Sequence, residues 1–178
     1  MTTLPDWDAA EKDLRFSLEK ISPAIQETVF EQVTDVLARV LVHAAGDTHT
    51  PVTREQLKEW HCTLPKALRV AGENMSKLLV DAEIDLTEGV AKIEGPGAAS
   101  LLLAPKFGLK LSKQLGGWPI LAMVPTADAV WVVPERDKDA AQRAGAAAVR
   151  AHKAGKRKLV LEVVRISDKG FRTAGTIG

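Results

Sequence analysis

The chain has 178 residues, with 24 Lys and Arg against 23 Asp and Glu and a formal net charge of +1. That length fits one domain, or one domain with an extension, and buries enough surface to need no metal or disulfide staple. The balanced charge gives no general field for nucleic acid, and with 4% aromatic residues and no Tyr there are few platforms on which bases could stack.

The amino-terminal stretch MTTLPDWDAAEKDLRF is acidic and lacks the apolar core of a secretory signal. No apolar run in the chain approaches the ~20 residues that span a bilayer. Trp7, Ala10, Leu14, Leu18 and Ile21 recur every three or four positions, which predicts an amphipathic helix. Ser22-Pro23 restarts the chain, and a second stripe through Ile25, Val29, Val33, Val36, Leu37, Val40 and Leu41 predicts another helix, ended by Gly46. Residues 1–58 are therefore expected to be a helical segment, whose two stripes could pair with a second copy in a homo-oligomer. Residues 59–178 are expected to be an α+β domain joined to it in one unit.

Thr53-Arg54-Glu55-Gln56 resembles a capping box opening a short helix with Leu57 and Trp60. Pro65 starts a longer one, striped by Leu64, Leu68, Ala71, Met75, Leu78 and Leu79. The period changes at Ile84 and Leu86, and a turn at Thr87-Glu88-Gly89 makes 90–94 the second strand of a hairpin. Gly95-Pro96-Gly97 breaks the chain, and the interruptions at Pro105 and Gly108 divide the next stretch into two short helical pieces.

Two apolar runs within 117–135 flank Pro125-Thr126-Ala127-Asp128 and predict antiparallel strands around a tight turn. An alanine-rich helix over 137–153 and an apolar run over 158–166 complete a ββαβ unit. The runs are continuous rather than alternating, so helices should cover both faces of a mostly antiparallel sheet. The fold class is α+β.

No catalytic, metal or cofactor constellation stands out. His61 and Cys62 are adjacent, so their side chains diverge by about 100° on a helix and make a poor nucleophile–base pair. The lone Cys62 cannot form an internal disulfide, which suits the reducing cytoplasm. His43, His49, His61 and His152 are scattered and lack zinc-ligand spacing. The glycine pairs lack the spacing of a phosphate loop. Asp128 is a candidate for binding a partner, and its alternatives are a catalytic role or a plain turn role, since Asp bonds nearby backbone amides. Trp118 and Trp131 read as core anchors or groove edges.

Two charge clusters are candidates for binding a partner. Arg150, Lys153, Lys156, Arg157 and Lys158 would meet an acidic surface, although cations also belong at a helix C-terminus. Asp6, Asp8, Glu11 and Asp13 would meet a basic one.

The order of Ala71 and Asn74 on a helix, then Ser100-Leu101-Leu102-Leu103, ILAMVPTADAVWVV and LVLEVVRISDKGF, resembles the YtpQ-like family of uncharacterised bacterial proteins. The resemblance runs from Trp60 to Phe171. The family tends to carry Pro-Thr/Ser-Arg-Asp in the turn, and this chain has Ala127 at the arginine position. The resemblance implies a fold rather than an activity. The expectation is a non-enzymatic, cytoplasmic protein-binding module without cofactor, most plausibly a bacterial immunity protein that neutralises a toxin. The alternatives are a small-ligand protein or enzyme with a site drawn from Asp128, Asn74, His61 and Trp residues, and a homo-oligomeric adaptor.

Overall fold

In the computed structural model, which describes residues 4–177, the helices expected over residues 1–58 are largely replaced by strands. A four-residue helix, α1 (Trp7–Ala10), and a 3-10 turn give way to β1 (Leu14–Lys20). The sequence LRFSLEK explains why: Leu14, Phe16 and Leu18 are buried and alternate with Arg15, Ser17 and Glu19, a period of two that the wider three-and-four spacing conceals. The second stripe becomes β2 (Phe30–Gln32) and β3 (Leu37–Ala45). Val40 and Val42 are β-branched, and a run buried on both faces has no period that marks it as strand or helix. Gly46 is no helix stop. It has φ +58° in the tight turn before β4 (Thr48–Pro51), where Ala45 pairs with Thr48.

These strands form one antiparallel sheet, with β3 between β1 on one edge and β2 then β4 on the other. Its inner face joins the main core through Leu14, Phe16, Leu18 and Leu41, and its outer face packs Ala38, Val40 and Val42 against Ile25. Most residues of the two apolar stripes are thus buried within the chain, while Val36 stays exposed.

The next elements follow the sequence closely. Thr53 caps α2 (Arg54–Glu59) by accepting from the Gln56 amide at 3.1 Å, and Thr63 caps α3 (Leu64–Asp81), whose buried stripe includes Ala67, Ala71, Met75 and Leu79. The hairpin β5 (Asp85–Thr87) and β6 (Val90–Glu94) leads to a 3-10 turn (Ala98–Leu103) and α4 (Phe107–Gln114).

The carboxy-terminal unit is β7 (Ile120–Thr126), β8 (Ala129–Pro134), α5 (Lys138–Ala154) and β9 (Glu162–Ser167), the expected ββαβ arrangement. A further strand, β10 (Gly170–Thr176), was not legible because it is exposed throughout and carries no apolar face. The second sheet has the order β10-β9-β7-β8-β6-β5, and all its recorded pairings are antiparallel. The protein is α+β.

Both faces of this sheet are covered. On one, Ala140, Ala144 and Ala148 of α5 lie against Met123, Trp131 and Val133. Small side chains at every fourth position let the helix approach closely. On the other, Ile120, Ala122, Val124, Val130 and Val132 meet α3, α4, the 3-10 turn and the inner face of the first sheet. One core therefore draws on residues before and after 58.

Candidate functional site

The turn between β7 and β8 is built by a proline. Pro125 has no N–H, and the β7–β8 register shifts between Met123 and Thr126. This part of β7 pairs instead with the chain that follows α5. The Leu159 amide donates to the Pro125 carbonyl at 2.9 Å, and the Ala127 amide donates to the Arg157 carbonyl at 2.9 Å. Gly155 makes the reversal after α5 feasible, since a Cβ there would collide with Thr126 and approach the Ala151 carbonyl oxygen to 2.9 Å.

That pairing brings Arg157 onto Asp128. The guanidinium forks onto the carboxylate, with Nε donating to Oδ2 at 3.1 Å and a terminal nitrogen donating to Oδ1. Oδ1 also accepts from the Gly97 amide at 3.0 Å, and the Asp128 carbonyl accepts from the Gly95 amide at 3.0 Å. Gly95 and Gly97 have φ +134° and +74°, backbone that L side chains rarely adopt. Asp128 thus latches the 95–97 loop to the β7–β8 turn. Its carboxylate lies below the ordinary range, mainly through the Arg157 hydrogen bond and further through the Gly97 amide and the Arg157 charge, against the opposing effect of burial.

A depressed carboxylate contributes stability above its unfolded value of 3.8, lost as pH falls through the lower folded value. Both partners are about half exposed, so water screens the pair. Asp128→Asn is expected to cost about 0.5–1 kcal/mol at neutral pH. Denaturant titrations should show the gap to the unsubstituted protein closing below pH 3.8, whereas a gap unchanged down to pH 2 would mean the charge is not what matters.

The sequence candidates do not converge on one catalytic site. Asn74 donates through Nδ2 to the carbonyls of Glu11 and Leu14, each at 2.9 Å, and so ties α3 to the start of β1. His61 is exposed, with φ +49°, at the end of α2. Cys62 is buried beside it, its thiol donating weakly to the Thr63 carbonyl at 3.5 Å, and burial pushes its pKa up. A thiol held protonated is a poor nucleophile. Among the described residues no group of three His, Cys, Asp or Glu side chains could hold a metal ion. Trp131 is buried under α5, while Trp118 is partly exposed and packs over Gly108, where a Cβ would come within 2.7 Å of the indole.

The basic cluster divides. Arg157 is engaged by Asp128, whereas Arg150, Lys153, Lys156 and Lys158 are exposed. Lys153 lies in the last turn of α5, where a cation offsets the helix dipole.

The acidic group is more organised. Asp6 caps α1 by accepting from the Ala9 amide at 3.0 Å, and Asp8 lies in its first turn. Both border a cleft of about 440 Å³ with Glu59, Trp7 and Trp60. The indoles meet edge to face with centroids 5.9 Å apart, and the Trp60 Nε1–H donates to the Pro5 carbonyl at 2.8 Å. The Lys66 ammonium sits 4.7 Å from the Trp7 ring centre, so that ring already holds a cation. Glu11 and Asp13 lie in the following 3-10 turn and do not border this cleft. Glu59 and the two tryptophans were not among the acidic candidates. The signal available was Trp7 between two aspartates.

A second groove, of about 350 Å³, opens where β1 and β4 face the end of α3 and the latched 95–97 loop. Met75, Leu78, Ile93 and Leu101 give it an apolar floor.

Comparison with protein-family models, with curated proteins and with solved structures finds no match for the chain. Three residues singled out in the sequence have structural roles in this fold: Asn74 bonds β1, the Ser100 hydroxyl accepts from the Leu18 amide at 3.0 Å, and Asp128 latches Gly97. No helix among the described residues is long and apolar enough to cross a membrane.

Proposed function

We propose that the protein is a non-enzymatic, cytoplasmic protein-binding module, an immunity factor that neutralises a basic protein toxin. The observation that carries this reading is the Trp7–Trp60 cleft rimmed by Asp6, Asp8 and Glu59. Tryptophan is enriched among the few residues that dominate interface energies, and the carboxylates that rim this cleft suit an Arg or Lys from a partner. Rim charges of one sign steer encounter and act mainly on the association rate. The acidic pole is favoured over the basic one because Arg157, the centre of the latter, is held by Asp128.

The test is co-purification of the tagged chain with the product of a neighbouring open reading frame, followed by binding kinetics on the pair. A captured protein should be toxic when expressed alone and harmless with this chain. Reversing the rim together, with Asp6→Lys, Asp8→Lys and Glu59→Lys, should slow association about tenfold or more at low salt and flatten its salt dependence. Association that ignores ionic strength, or a captured partner that is not toxic, would overturn the reading.

A further inference from the structure

We propose that β10, the open edge of the second sheet, pairs antiparallel with β10 of a second copy of this chain, about a two-fold axis through Phe171. The contact uses neither the tryptophan cleft nor its acidic rim, so this dimer and the toxin-binding reading can fail separately.

The first argument is how the other edges are closed. An edge strand presents a row of backbone donors and acceptors to any passing strand, and proteins blunt it by shortness, proline or cover. The Leu18 amide of β1 donates to the Ser100 hydroxyl of the 3-10 turn at 3.0 Å. β2 and β5 have three residues each, and β4 has four and ends on Pro51. β10 has seven residues, all exposed, and no proline. A bulge between Thr173 and Gly175 interrupts it and leaves 170–173 in regular register.

The second argument is an apolar strip that runs out to this edge. Phe171 stands opposite Ile166 and so projects from the same face of the sheet. Ile166 and the Trp118 indole both lie over Gly108, where a Cβ would come within 3.1 and 2.7 Å of them. The strip ends on Phe171, 38% exposed. Across the axis that ring meets its own copy, and aromatic cross-strand pairs are among those that stabilise a sheet.

Self-complementarity selects both the occupant and the register. For the faces of the two copies to match, the axis must pass through a residue rather than between two. At Arg172 it would oppose two guanidinium groups, and at Thr173 it would fall on the bulge. At Phe171 it sets Arg172 against Gly170 and Lys169 against Thr173, with no like charges opposed. Arg172 then lies diagonal to Asp168 of the second copy. Asp168 belongs to that face: Arg165, opposite Arg172, has its pKa raised mainly by the Glu135 hydrogen bond and also by the Asp168 charge. A basic partner strand would meet Lys169 and Arg172 with like charge, whereas a second copy brings a carboxylate.

Sedimentation equilibrium of the full chain from about 5 μM to about 500 μM should show the mass rise from one chain towards two and stop there. Phe171→Lys opposes two ammonium groups at the axis and should weaken the dimer about tenfold or more, with thermal unfolding showing that the variant is folded. In a Cys62→Ser background, Phe171→Cys should cross-link to a disulfide dimer on mild oxidation, because only a residue at the axis meets itself. Thr176→Cys in the same background should stay monomeric. A mass of one chain throughout, growth beyond two chains, unchanged association of folded Phe171→Lys, or equal cross-linking at the two positions would overturn the proposal.

Discussion

Phe107→Ala is expected to destabilise the protein by about 3–5 kcal/mol. Phe107 opens α4 and has no exposed surface. It belongs to the cluster that also holds Phe16 and Leu41 of the first sheet and Ile120 and Val132 of the second. Removing its ring costs the transfer of that apolar area and leaves a void between two sheets that are each fixed by their own ladders and so cannot collapse to fill it. Chemical denaturation should show the loss as a lowered midpoint at unchanged slope. A loss below about 1 kcal/mol would mean that the two sheets do not share one core.

Glu162→Ala is the second large expectation, at about 1–3 kcal/mol. Glu162, on β9, is 4% exposed. One carboxyl oxygen accepts from the Thr34 hydroxyl at 2.7 Å and the other accepts from the Thr173 hydroxyl. Thr34 lies in the turn between β2 and β3, and its hydroxyl oxygen also accepts from the Leu37 amide at 3.2 Å. The carboxyl thus joins β10 and β9 of one sheet to a turn of the other. Alanine would strand the buried Thr34 hydroxyl, while the Thr173 hydroxyl on the exposed β10 turns to water, and relief from a desolvated acid offsets part of the loss. Glu162→Gln, which keeps an acceptor and the side-chain volume, should lose less than half as much. Equal losses for the two substitutions would show that cavity and packing, rather than these hydrogen bonds, set the cost.

The candidate sites were legible in parts only. The sequence shows Asp128 in a turn and Arg157 in a basic run, but not that they meet. Their contact depends on the pairing of Pro125 and Ala127 with Leu159 and Arg157, on either side of the whole length of α5. Likewise Asp6 and Asp8 read as surface charge until α2 brings Glu59 and Trp60 beside them.

From Thr53 to Ile166 the sequence by itself determined the elements, because caps at Thr53 and Thr63, turns at Gly89 and Gly97, and the alanine stripe of α5 are local signals with local physical causes. Before Thr53 it determined only that the segment was apolar and patterned. Leu14 and Leu18 are four apart, which fits one helical face, and Phe16 between them fits one strand face; local periodicity does not choose. Tertiary structure chose strand, because β1 and β3 satisfy each other's backbone groups from Leu14 opposite His43 to Lys20 opposite Leu37 while burying Phe16 against the second sheet's side of the core. That energy depends on residues far apart in the chain, and no window of sequence contains it.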